Sequence, residues 1–290
     1  MRTISMINQK GGVGKTTSSV NLAAALANLG HRVCLIDMDP QAHATLHLGV
    51  ALNEHGQSMY HVLTDDVPLA DVRVQVAPNL YVCPADLDLA AAEMELSGEV
   101  GREIILRDRL QDDPETFDFL LIDCPPSLGV LTLNALTSTK EVFLPLQPHF
   151  LALHGLSKLL KTIDIVARRL NKGLRLSGLL YCLCDSSTRL ASEVINDVEE
   201  FFQTERGGSE VWSHVTSFQT KIRRNIRLAE APSFGQSIFQ YAPTSHGAED
   251  YLNLAHEVLE QSALEQSAQA QDAKEQARAD ASTARAALTA

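Results

Sequence analysis

Positive charge is scarce in this 290-residue chain: 24 lysines and arginines stand against 36 aspartates and glutamates, a formal net charge of −12. No global field therefore attracts nucleic acid, and any contact with a phosphate backbone must come from a local patch. Long hydrophobic runs are missing too. No apolar stretch approaches the ~20 residues that cross a bilayer, which argues against a helical membrane anchor. Strand-like residues begin at Thr3 and leave no room for a signal peptide, so a cytoplasmic protein is expected. Cysteine is sparse and odd in number. Cys34, Cys83, Cys124, Cys182 and Cys184 sit mostly in apolar runs, the pattern of buried reduced thiols. Cys182 and Cys184 fall in a strand-like segment, where alternate side chains share a face, but no further metal ligands can be assigned to them. No linker rich in Pro, Gly or Ser divides the core, and no internal repeat is present.

What is there is a substantial core: 45% of residues are hydrophobic and 21% charged. Strand-like runs at 3–8, 31–37, 80–83, 117–123, 141–146, 176–184 and 210–215 alternate with helical patterns at 20–29, 88–96, 102–110, 156–170, 189–202 and 248–259. Several strands are continuous apolar runs, as expected when helices cover both faces. The alternation predicts an α/β fold, a doubly wound, mainly parallel sheet flanked by helices. One domain is expected over residues 1–260. Residues 261–290 form an Ala/Gln-rich tail with few large apolar side chains, a marginal helix or a disordered segment with too little apolar surface to bind a membrane.

The chemistry concentrates in three segments. Lys10-Gly11-Gly12-Val13-Gly14-Lys15-Thr16-Thr17 matches the end of the P-loop pattern G-x-x-x-x-G-K-[ST], with Gln9 where the first glycine would stand and a second lysine after it. Glycines let backbone N–H groups turn around an anion, and the helix that follows presents its positive end to phosphates. Lys15 is placed to reach the β/γ-phosphates and the Thr16 hydroxyl to ligate Mg²⁺. Asp37-Met38-Asp39 closes the second strand with two carboxylates at i and i+2. Leu120-Leu121-Ile122-Asp123 is an apolar strand ending in an acid, the arrangement that supports Mg²⁺ in Walker B motifs.

These segments closely resemble the ParA/MinD family of P-loop ATPases with a deviant Walker A motif. The blocks that carry the likeness are KGGVGKTT (10–17), DMDPQ (37–41), LLIDCPPSLGVLTLNAL (120–136), QPHFLALHGL (147–156) and RNIRLAEAPSFG (224–235). Together they span about residues 1–260, and the later blocks look more like ParA than MinD. The resemblance implies ATP and Mg²⁺ as cofactors. It assigns Lys10 to a partner's phosphates across an ATP-sandwiched homodimer, and Lys15 and Thr16 to nucleotide and metal in cis. Asp39 would orient the attacking water and Asp123 support the metal. A second cation at the transferring phosphate neutralises charge as an arginine finger does.

Lys221, Arg223, Arg224 and Arg227 place four positive charges within 219–228 with no acid among them. In the family this neighbourhood contributes to non-specific binding of double-stranded DNA by the ATP dimer, in concert with a ParB-like activator. Arg223 departs from the family: it stands where relatives usually carry proline near the adenine. The implied function is an ATP-dependent dimer switch for chromosome or plasmid partitioning on the nucleoid. An orphan positioner of a protein cargo and a MinD-like membrane-cycling regulator are the alternatives. A metal-cluster ATPase of the nitrogenase iron-protein kind finds little support in scattered cysteines.

Overall fold

Side-chain alternation along short apolar strands builds the sheet of the computed structural model, which describes residues 1–51, 56–149, 152, 155–185, 189–205, 209–213, 215–264 and 267. The strands are β1 (Arg2–Met6), β2 (Val33–Asp37), β3 (Val74–Ala77), β4 (Leu80–Cys83), β5 (Phe119–Asp123), β6 (Glu141–Leu146), β7 (Arg175–Tyr181) and β8 (Thr216–Ser217). They are ordered β3-β4-β2-β5-β1-β6-β7-β8, and only the β3–β4 pair is antiparallel. The helices are α1 (Lys15–Asn28), α2 (His43–His47), α3 (Met59–Thr64), α4 (Leu69–Val72), α5 (Leu89–Glu95) and α6 (Ile105–Asp112). After them come α7 (Val130–Ser138), α8 (Leu156–Arg169), α9 (Arg189–Glu205), α10 (Ile226–Glu230), α11 (Ile238–Tyr241) and α12 (246–264).

Each central strand feeds two cores. Cys34, Ile36, Leu120 and Ile122 join one cluster with residues of α3 to α9, whereas Val33, Leu35, Phe119 and Leu121 join the other with α1, α2, α10, α11 and α12. With both faces covered, period-2 alternation reads as an unbroken apolar run. The doubly wound, mainly parallel α/β architecture expected from the alternation is the one observed.

Three expectations need correction. Residues 210–213 and 215 do not form the expected strand, and 214 lies outside the described residues. Ser209 accepts the Val211 N–H at 3.2 Å and starts a 3-10 turn over Glu210–Trp212, and the strand follows at β8. Cys182 and Cys184 do not share a face: Leu183 adopts φ +54°, so Cys182 enters one core and Cys184 the other. The 102–110 helix begins only at Ile105. The sequence reading also missed β3, which pairs with β4 around a turn where Asn79 has φ +61°, and it missed α7. Part of the 147–156 block (150, 151, 153 and 154) lies outside the described residues. So does the tail beyond 264, apart from Ser267.

Candidate nucleotide site and basic segment

Parallel strands deliver their C-terminal ends to one rim, and ligands of open α/β sheets bind there. In register, Met6 and Asp37 both lie beside Asp123, so β1, β5 and β2 end together. The loop leaving β1 turns into α1 at Gly14, which has φ +96° and serves as the helix N-cap without any side-chain cap bond. A Cβ at Gly14 would meet the Cys182 Cβ at 3.2 Å, so only glycine suits both the backbone and the space. Gly11 and Gly12 are exposed, and a Cβ at either would meet nothing within 4 Å. The loop thus leads into the uncapped start of a 14-residue helix, whose free N–H groups suit an anion. Val13 is buried, and Thr16 and Thr17 occupy the first turn of α1.

The two lysines differ. Lys15 is buried, and its ammonium donates to the Lys10 carbonyl at 3.3 Å. Burial lowers its pKa, while the Asp123 and Asp39 charges oppose that shift. Lys10 is partly exposed, and its ammonium contacts the His149 imidazole. Asn8, which the sequence reading passed over, fixes the backbone here. Its Oδ1 accepts the Lys10 N–H at 2.9 Å, and its amide donates to the Pro145 carbonyl at 2.7 Å.

Three carboxylates face this loop, and each is held differently. Asp123 is fully buried. Ser19, another missed residue, donates to its Oδ1 at 2.7 Å, and the Thr16 hydroxyl faces the same group. Its Oδ2 is buried with no hydrogen-bond partner. Burial raises the Asp123 pKa, against the pull of Ser19, Thr16 and Lys15. Asp37 is buried as well and accepts the Thr45 N–H at 2.9 Å, the Thr45 hydroxyl at 2.8 Å and the Asp39 N–H at 3.1 Å. Burial, and then the Asp123 charge, raise its pKa. Asp37 therefore acts as scaffold, with its oxygens spent on the loop. Asp39 uses Oδ1 to accept the Gln41 N–H at 3.0 Å, and its second oxygen accepts nothing from the described residues.

An orphaned buried carboxylate oxygen is costly unless a cation or donor satisfies it. The unpartnered Asp123 Oδ2 and the Thr16 hydroxyl that faces the same carboxyl group are hard oxygen ligands of the kind Mg²⁺ takes, so these residues fit a magnesium-bound nucleotide.

The basic segment splits in two. Residues 222–224 run beside the chain leaving β7, with bonds from Ile222 N to Tyr181 O, Cys184 N to Ile222 O and Arg224 N to Cys184 O, all 2.9–3.0 Å. This puts the segment on the P-loop rim. Arg223 is tied to Asp250 through its backbone N–H at 2.9 Å and its guanidinium at 2.5 Å, and it reaches Glu249 at 2.6 Å. Arg227 pairs with Glu230 at 2.8 Å. Lys221 and Arg224 are exposed and make no ion pair among the described residues. The four predicted DNA-binding cations thus reduce to two free ones.

The comparisons agree with this geometry. A family model described as an AAA domain matches residues 1–176. The sporulation initiation inhibitor protein Soj of Bacillus subtilis is 44% identical over 258 residues, covering 89% of this chain and 98% of that protein. The chromosome-partitioning ATPase Soj of Thermus thermophilus is 45% identical over 259 residues, covering 89% and 96%. Among solved structures, cobyrinic acid a,c-diamide synthase from Mycobacterium smegmatis with bound ADP and magnesium superposes with a TM-score of 0.75 at 36% identity, covering 89% of this chain and 94% of that one. The chain belongs to the ParA/Soj family of magnesium-dependent P-loop ATPases.

Proposed function

We propose that this ATPase is a dimer switch for DNA partitioning. ATP closes two copies around two nucleotides, the closed pair holds double-stranded DNA without regard to sequence, and hydrolysis, stimulated by a ParB-like partner, releases it. The observation that carries the reading is the placement of the unpaired Lys221 and Arg224 on the rim that also bears Lys10 and the P-loop. A single copy with net charge −12 holds a polyanion poorly. A dimer doubles the local patch and makes DNA affinity conditional on nucleotide.

Within the site, the 11–17 amides and Lys15 cradle the β/γ-phosphates. Thr16 and Asp123 would hold a Mg²⁺, which would supply positive charge against the charge that develops on the phosphates. Asp39, with one oxygen unengaged, orients the attacking water. Lys10 sits at the lip of the loop and serves the partner's phosphates, as a trans cation does. Residues 1–260 make up the ATPase domain, 261–290 an appended tail, and the working location is the nucleoid.

The test is DNA retention by the full chain with ATP, with ADP and without nucleotide, across a salt series. Retention only with ATP, weakening with salt and lost when Lys221 and Arg224 are both changed to Glu, supports the reading. Retention indifferent to nucleotide or to that double change overturns it.

A further inference from the structure

One short helix touches both halves of the switch. α2 begins three residues after Pro40, and its Thr45 closes on β2: the backbone N–H and the hydroxyl both donate to Asp37 Oδ2, at 2.9 and 2.8 Å. The other oxygen of Asp37 accepts the Asp39 N–H. Thr45 thereby fixes the carboxylate that fixes the backbone of Asp39. Its hydroxyl also accepts the Ala85 N–H at 3.0 Å, which pins α2 to the end of β4.

The far end of α2 meets the block that follows the basic segment. His47 is buried, and its ring faces the Gln236 backbone. Two residues on, Gly49 lies against Gly235, the C-cap of the 3-10 turn Ala231–Phe234 that continues directly from α10. Both glycines have positive φ, +71° and +62°. A Cβ at Gly49 would sit 2.9 Å from the Gly235 carbonyl oxygen, and one at Gly235 would sit 2.8 Å from the Gly49 Cα. Backbone therefore packs on backbone, with no flexible side chain to absorb a shift. Leu48, Val50 and Ala44 share one core with Leu228 and Ile238. Asn21 ties the same block to α1, accepting the Ile238 N–H at 2.8 Å and donating to the Thr17 carbonyl at 2.8 Å. Residues 226–241 are thus held between the helix that starts at the P-loop and the helix that starts at the Asp39 loop.

We propose that Thr45 is a positioning residue for Asp39, and that the rigid Gly49–Gly235 contact carries the setting of the Asp39 loop through α2 to the basic segment. Packed elements of this kind transmit a displacement because interiors yield little. The output half rests on the DNA-binding reading above; the Asp39 half does not.

The test takes three variants of the full chain and one measurement on the unaltered protein. In Thr45→Val the shape persists while both hydroxyl bonds are lost. Turnover is expected to fall ~10-fold with little change in KM for ATP, and Thr45→Ser to restore it. Gly235→Ala is expected to keep ATP turnover within about twofold, while the ratio of DNA affinities with ATP and with ADP collapses at least ~10-fold, the range of ordinary coupling energies. Should Gly235→Ala fail to fold, hydrogen exchange decides. Between ADP and a non-hydrolysable ATP analogue, protection of 43–50 and 231–238 is expected to change together. Changes confined to 9–17 and 37–42 overturn the proposal, as does a folded Gly235→Ala with unaltered discrimination or a Thr45→Val with normal turnover. If the unaltered chain shows no ATP-dependent DNA retention, the parent reading fails, and the Thr45 result alone judges the Asp39 half.

Discussion

The P-loop rim and the basic segment are both clusters of charge, yet the structure treats them in opposite ways. Around the P-loop three of the charged side chains are engaged by backbone groups close in sequence, while Lys10 meets His149 and Asp123 meets Ser19 through tertiary approach. Lys15 bonds the Lys10 carbonyl, Asp39 caps its own turn at Gln41, and Asp37 binds the start of α2. In the basic segment two of four cations are paired with acids, Arg223 with Glu249 and Asp250 far along the chain in α12 and Arg227 with Glu230 three residues on. A run of like charge in sequence says nothing about what faces it. The P-loop rim draws Lys15, Asp37 and Asp39 onto nearby backbone, whereas in the basic segment only Arg227 finds its partner nearby.

The comparison breaks most visibly at Lys15. Its charge is buried, and burial already works against it; in the proposed mechanism that charge serves the nucleotide. Lys15→Gln is expected to cut ATP turnover at least ~100-fold, the cost of removing one preorganised electrostatic donor. Thermal stability should be unchanged or raised. Steady-state hydrolysis and a melting curve check both, and a stability loss with turnover intact would mean Lys15 is a structural cation after all.

How much of this was legible follows the same division. The apolar runs at Val33–Asp37 and Phe119–Asp123 read as buried strands because both faces are covered, and their terminal acids mark the rim. Gly14 was legible through its motif, and the structure adds the reason, positive φ and the approach of Cys182. Ser19, Asn8 and Thr45 were not legible. Each is an ordinary polar residue whose partner (Asp123, Pro145, Asp37) is set by tertiary approach. The strand expected at 210–215 failed because a serine hydroxyl competed for the backbone, a local alternative that β-propensity ignores.

Burial also makes stability depend on pH, and the seam between the regions is where this shows. Burial, its largest cause, lowers the His47 pKa from 6.5 to about 4, and the Gln236 backbone beside the ring offsets this in part. The unfolded chain therefore takes up a proton below pH 6.5 that the folded chain refuses until about pH 4. Stability tied to the neutral ring is complete above pH 6.5 and is lost as pH falls through that window, by up to about 3 kcal/mol. Melting temperatures from pH 7.5 to 5 should decline, and His47→Gln should flatten the decline. An equally steep profile in that variant would assign the effect elsewhere.

The two halves of the basic segment separate by salt. Each phosphate contact contributes about 0.9 to the slope of log affinity against log salt, and a dimer presents each residue twice. Lys221→Gln or Arg224→Gln should therefore lower the slope by roughly 2. Arg227→Gln, whose charge is already engaged by Glu230, should change it less. Equal slopes for all three would erase the distinction between free and paired cations.

Arg223 gives the smallest and sharpest test. Its side chain is 38% exposed while that of Asp250 is only 5% exposed, so removing the arginine strands a nearly buried carboxylate. Breaking a buried pair costs several kcal/mol, but solvent at the arginine screens this one, and Arg223→Gln is expected to destabilise by about 1–2 kcal/mol. The salt slope for DNA should stay as it is. The double variant Arg223→Gln, Asp250→Asn should recover part of the lost stability, because it removes the stranded charge along with its partner. A lowered slope with unchanged melting would return Arg223 to the DNA-binding group and show that position in sequence, rather than pairing in the fold, governs this surface.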